Sequence, residues 1–150
     1  MAFRGTFEHA IDDKARVAIP AKYREALSGL QDERLMVTRF RSGQQRCLDV
    51  YPLSAWRGLE ERILAMPRFN PELQRFKRVY VSGAHECALD GQGRILIPQH
   101  LRDYAGITRD IVFTGDVDIF KMWSRDAWQQ IFHDDEQIFD QPDIMNRLGL

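Results

Sequence analysis

The chain states one pattern twice. Residues 8–27 read EHAIDDKARVAIPAKYREAL and residues 86–105 read ECALDGQGRILIPQHLRDYA, an offset of 78. Glu8 falls on Glu86, Asp12 on Asp90, Arg16 on Arg94, Ile19-Pro20 on Ile97-Pro98 and Arg24 on Arg102. A D-x-x-x-R-x-x-I-P core kept at fixed spacing marks one supersecondary unit duplicated inside a small protein. At 150 residues there is room for one compact unit, or for two half-units that share a core. A small duplicated unit with an Arg on its turn suits a surface that reads a repeated partner better than a single catalytic pocket.

Each copy offers the same order of elements. In the first, residues 6–11 form a short strand candidate, Asp12-Asp13-Lys14-Ala15 a polar turn, and residues 16–19 a second strand ended by Pro20. Strand, short polar turn and strand make a hairpin or a tight crossover. Pro20 suits a first helical position, and residues 21–27 read as a short helix stopped at Ser28-Gly29. Strands follow at 35–38 and 47–51, joined by a polar link over 41–46. A helix with Leu53, Trp56, Leu59 and Ile63 at helical spacing runs to about Ala65. Asn70-Pro71-Glu72 is a strong helix start, and one helix is predicted over 71–82 with Gly83 at its C′ position. The second copy then replays the first, and Trp128 repeats the place of Trp56.

Four short strands make a marginal sheet alone. The two copies are therefore predicted to pack about a pseudo-two-fold axis around one core, with helices over the open edges. The fold class is mainly β with short helices. The chain divides into a first unit over 7–54, connecting helices over 55–82, a second unit over 83–126, and a C-terminal helix with an acidic tail over 127–150.

Charge is balanced overall, with a net value of −1, but it is segregated. Residues 133–150 sum to −4 and residues 1–132 to +3. Arg68, Arg75, Lys77 and Arg78 crowd into 68–78 against Glu72 alone. A monomer with this charge is a poor DNA ligand, whereas an assembly repeating one basic edge can be a good one. The two cysteines, Cys47 and Cys87, lie far apart and fit free thiols in a reducing cytosol. No apolar run is long enough for a membrane helix or a signal peptide.

Catalytic chemistry finds little support. His9, His85, His100 and His133 are scattered, and His85-x-Cys87 lacks the further ligands that zinc needs. There is no nucleophile motif, and Gly91-Gln92-Gly93 matches no phosphate loop. No catalytic residue, metal, cofactor or small-molecule ligand is assigned. The paired Asp and Arg are more telling. Asp12 and Asp90 suit turn structuring, through their backbone amides. No turn requires Arg at one fixed position, yet Arg16 and Arg94 are both kept, and Lys14 adds charge to the first tip. A guanidinium there can reach phosphate or a guanine edge bidentately. Lys14, Arg16 and Arg94 are the DNA-binding candidates.

At these motifs the chain resembles the MraZ family. FRGTFEHAIDD at 3–13, IPAKYREAL at 19–27, LDVYPLSAW at 48–56, QRFKRVYVSGAHECALD at 74–90 and GRILIPQHLRDYAGI at 93–107 carry the likeness, which runs to about residue 132. The resemblance implies two domains of the SpoVT-AbrB type, each a swapped-hairpin-like β unit. It implies a cytoplasmic, nucleoid-associated transcriptional regulator that forms closed rings. Its implied partners are further copies of itself and double-stranded DNA carrying direct repeats, at the promoter of the division and cell-wall gene cluster. A ring-forming scaffold for proteins, with incidental DNA binding, is the rival. The family usually has Gly where Ala15 stands. If that position needs positive φ, Ala costs about 1 kcal/mol and a stiffer or altered first turn is expected.

Overall fold

The structure is a computed structural model that describes residues 2–30 and 34–150. In chain order the strands are β1 (Thr6–Ala10), β2 (Arg16–Ala18), β3 (Arg34–Ser42), β4 (Gln45–Pro52), β5 (His85–Ala88), β6 (Arg94–Leu96), β7 (Asp110–Asp116) and β8 (Ile119–Ser124). The helices are α1 (Ala21–Ser28), α2 (Leu53–Leu64), α3 (Pro71–Phe76), α4 (Gln99–Ala105), α5 (Arg125–Asp135) and α6 (Asp143–Arg147).

Six strands form one sheet in the order β1-β7-β8-β4-β3-β5, and β2 pairs with β6 in a separate ribbon. This order reads the same from both ends once the copies are exchanged, so a pseudo-two-fold axis runs between β4 and β8. Of the two arrangements expected for residues 6–19, the hairpin is excluded and the crossover is found. β1 pairs with β7 of the other copy, β5 pairs with β3, and all these ladders are antiparallel. The polar turn is a crossover from the large sheet into the ribbon. The two copies are thus swapped into each other, and neither can close its sheet alone.

Period-two alternation sorts the strands onto two faces. Leu48 and Val50 of β4, with Phe120 and Met122 of β8, join the main core beneath the ribbon, α1 and α4. Val17, Ile19, Ile95 and Ile97 close that core from the ribbon side, each at most 1% exposed. Cys47, Trp123, Ala127 and Ile131 form a second cluster on the opposite face. The helices pack chiefly on the inner strands β3, β4, β7 and β8, so they cover the faces more than the edges. The expected link over 41–46 is shorter: β3 runs to Ser42 and β4 resumes at Gln45.

The helix expected over 71–82 is also corrected. Asn70 caps it as its sequence suggests, accepting from the Glu72 and Leu73 amides at 2.9 and 3.2 Å. After Phe76 the backbone widens into a π-helical turn, Lys77–Val81. That turn places Tyr80 over the sheet, 6% exposed, with its hydroxyl 2.5 Å from Asp49 Oδ2. Tyr51 Oη lies 2.6 Å from Tyr80 Oη, and Lys121 Nζ meets Asp49 Oδ1 at 2.5 Å. Asp49 is on β4 and Lys121 on β8, so this buried network stitches the copies together across the pseudo-axis. Gly83 is not a left-handed cap. A Cβ there would sit 2.7 Å from Arg39 Nε and 3.2 Å from the Val79 carbonyl, so the glycine makes room for the Arg39 side chain. Arg39 Nε in turn donates to the Val79 carbonyl at 2.6 Å.

Candidate nucleic-acid interface

The β2–β6 ribbon shows one face to the core and one outward. Val17 and Ile95 pair with each other and point in. Arg16 pairs with Leu96 and Ala18 with Arg94, so Arg16, Ala18, Arg94 and Leu96 share the outer face. Leu96 is 51% exposed. The two crossover turns flank this face, one at each end.

Both turns are built alike. Asp12 Oδ1 accepts from the Lys14 and Arg16 amides at 2.9 Å each, and Asp90 Oδ1 does the same for Gln92 and Arg94 at 2.9 Å. The amide of the Arg at the end of each turn, Arg16 or Arg94, acts most strongly to hold the Asp carboxyl below the usual carboxylate range. Ala15 has φ 63° and Gly93 φ 72°, so both turns need a left-handed residue at this position. The expected altered first turn is therefore absent: Ala15 takes the glycine conformation and bears its cost. The two turns also clasp each other's copy. Ile19 N donates to the Gly93 carbonyl at 2.9 Å, and Ile97 N donates to the Ala15 carbonyl at 3.0 Å.

The second repeated Arg has a structural task that spacing alone did not reveal. Arg24 Nε donates to the Ile19 carbonyl at 3.1 Å, and Arg102 Nε donates to the Ile97 carbonyl at 3.0 Å. Each ties the first turn of its helix to the strand before the proline. Arg24 also lies against Gly93, where a Cβ would meet its Cδ at 2.6 Å. Gly93→Ala adds a left-handed penalty to that clash. It is expected to cost about 1–2 kcal/mol, lowering the melting midpoint by roughly 2–8 °C. A thermal melt of the variant within 1 °C of the parent would contradict this account.

The two candidate arginines are not equivalent. Arg94 Nε bonds Asp90 Oδ2 at 3.0 Å, and its Nη1 lies 3.9 Å from Asp12 Oδ2. Both turn carboxylates therefore face Arg94. Arg16 is half-buried and its charge reaches Asp12 through space, but among the described residues its guanidinium makes no hydrogen bond or ion pair. Lys14 is exposed at the first tip and Gln92 at the second. The structure thus brings Lys14, Arg16 and Arg94 to one ribbon, with Arg94 already engaged.

Residues 2–79 and again 80–146 match one family pattern, described as "MraZ protein, putative antitoxin-like". The chain belongs to the MraZ family. It is 44% identical over 126 residues to a protein of Desulfitobacterium hafniense, covering 84% of this chain and 83% of that one. It is 41% identical over 126 residues to one of Caldanaerobacter subterraneus subsp. tengcongensis, with the same coverage of 84% and 83%. A third relative, from Thioalkalivibrio sulfidiphilus, is 36% identical over 152 residues and covers 99% of both chains. Each of the three is named "Transcriptional regulator MraZ". Among solved structures, PHS018 from Pyrococcus horikoshii is similar at a TM-score of 0.36 and 17% identity, over 83% of this chain and 94% of that one; so loose a match carries no argument.

Other chemistry is sparse in this MraZ chain. Burial pushes the Cys47 thiol up to about 12 and the Cys87 thiol up to about 11, so both stay protonated near neutral pH. His85 is exposed while Cys87 is buried, and the Cys87 thiol points to the Leu96 carbonyl at 3.6 Å. No group of three or more His, Cys, Asp or Glu could hold a metal ion among the described residues. No described helix is long and apolar enough to cross a membrane.

Proposed function

We propose that this chain is a sequence-specific DNA-binding transcriptional regulator, and that the outer face of the β2–β6 ribbon is its reading surface. The observation that carries this is the unequal pair of arginines. Both turn carboxylates engage Arg94, whereas the Arg16 guanidinium, on the same two-stranded ribbon, feels Asp12 only through space and makes no hydrogen bond or ion pair among the described residues. A ribbon of this width enters a major groove, and a free guanidinium there can take phosphate or a guanine edge. Arg94 then aligns the ribbon, and Lys14 adds a phosphate contact at the tip. The shared name of the relatives supports the same reading.

One ribbon is a weak ligand. Asp13 stands beside Lys14 at the exposed tip, so the local net charge is small. Affinity must come from repetition. In our reading, copies assemble head to tail into a closed ring, and neighbouring ribbons engage successive direct repeats of a promoter in the division and cell-wall gene cluster. Such a regulator works at the nucleoid in the cytoplasm.

The test is a titration of a repeat-bearing promoter duplex against one with the repeats scrambled, at fixed salt. The regulator is expected to bind the intact duplex at least 100-fold more tightly. Equal affinity would leave a protein-binding scaffold as the better reading.

A further inference from the structure

We propose that the acidic C-terminal tail of one copy docks in the basic, apolar groove between α2 and α3 of a second copy. This rests on the reading above that the chain assembles head to tail, and it names the surfaces that do so.

The groove is a cavity of about 410 Å³ lined by Leu59, Ile63, Met66, Pro67, Leu73 and Phe76, with Asn70 and Glu72 at its rim. Met66 and Phe76 of its lining are 49% and 40% exposed, and Leu64 and Phe69, close by in sequence, are 79% and 83% exposed. So much exposed apolar surface in one place marks an interaction site. The segment that carries α3 is cationic, with Arg68, Arg75 and Arg78 exposed and Lys77 half-buried, against Glu72 in the groove lining and Glu60 and Glu61 exposed on α2.

The tail is the complement of this surface. It follows α5 as a 3-10 turn, Glu136–Asp140, and then α6. Phe139 is 78% exposed, Leu148 63% and Leu150 79%. Asp134, Asp135, Glu136, Asp140 and Asp143 surround them, and residues 133–150 sum to −4. Residues 134–150 are all exposed except Ile144, which is half-buried, so the tail is not seated on its own chain. Such short helical pieces are not stable in isolation. Laid into a groove, they gain apolar contact, and their carboxylates face the arginine flank. Tail and groove are different surfaces, so the contact is heterologous and propagates from copy to copy until a ring closes.

The test uses the full chain. Phe139→Asp breaks the tail, and Arg75→Glu with Arg78→Glu breaks the groove; all three sites are exposed, so circular dichroism should be unchanged. Native mass measurement is expected to show a ring for the parent and single chains for each variant. Mixing the two variants restores one intact tail and one intact groove, and a one-to-one pair is expected. Adding Asp140→Lys and Asp143→Lys to the groove variant should return the higher mass. Rings that persist in Phe139→Asp overturn the docking and leave the ring itself standing. Single-chain variants that fail to pair on mixing overturn docking between copies. A parent that is itself a single chain overturns both this inference and the ring.

Discussion

Asp49→Ala is expected to destabilise the chain by about 3–5 kcal/mol, which is the cost of stranding one partner of a buried ion pair. Asp49 is 3% exposed and accepts from Lys121 at 2.5 Å and from the Tyr80 hydroxyl at 2.5 Å. Without it, Lys121, whose side chain is only 17% exposed, has Asp116 at 4.0 Å as its nearest carboxylate. Burial lowers the affinity of Lys121 for its proton, but Asp49 more than offsets this, so the ammonium is held charged. Removing the carboxylate leaves that charge with only the longer Asp116 contact and the Phe40 ring face to offset its burial. At about 2–4 °C per kcal/mol for a domain of this size, the melting midpoint should fall by roughly 6–20 °C. Asp49→Leu combined with Lys121→Met should cost less than Asp49→Ala alone, because no charge is then left unpaired. Urea unfolding of the three proteins measures both differences. A loss below 1 kcal/mol for Asp49→Ala would show that the network does not join the copies as argued.

That network was hidden in the sequence for a physical reason. Asp49 alternates with Leu48 and Val50, which reads as a strand with one wet face. Both faces of this sheet are covered, so the alternate position is buried, and its partners come from β8 and a π-helical turn far along the chain. Lys121 is 72 residues away from it. Nothing local announces such a pairing. The crossover of β1 onto β7 was concealed in the same way. Strand patterns say that a strand exists, and only the register of the other copy says where it pairs.

What was legible was local. The Asx-type turns at Asp12 and Asp90 are written in four consecutive residues each, and Asn70-Pro71-Glu72 carries its own cap. The duplication itself was plain, because the Asp, Arg and Ile-Pro positions recur at one offset, and the backbone clasp of Ile19 on Gly93 and of Ile97 on Ala15 repeats with them. The unequal state of the two arginines was only half legible. Sequence asymmetry at Lys14-Ala15 and Gln92-Gly93 pointed to the first copy. The ion pairs that distinguish Arg94 depend on its side chain reaching Asp12 of the other copy as well as its own Asp90, which spacing cannot show.

Arg16→Ala should therefore weaken promoter binding far more than Arg94→Ala. A guanidinium that contacts a base edge or phosphate contributes about 1–3 kcal/mol. If two copies of a ring engage two repeats, the loss doubles to about 2–6 kcal/mol, which is roughly 30-fold to 20,000-fold in affinity. Among the described residues the Arg16 guanidinium makes no hydrogen bond or ion pair, so its removal should leave the melting midpoint and the native mass nearly unchanged. The salt dependence should become shallower by about 0.9 in log–log slope for each phosphate contact removed. Arg94→Ala removes half-exposed ion pairs worth about 0–1 kcal/mol to the fold, and a smaller loss of DNA affinity is expected. Binding titrations at several salt concentrations, beside thermal melts, separate the two variants. If Arg94→Ala costs as much affinity as Arg16→Ala, the turn carboxylates do not set the arginines apart. If Arg16→Ala binds like the parent, the ribbon is not the reading surface, and the basic segment 68–78 becomes the next place to test.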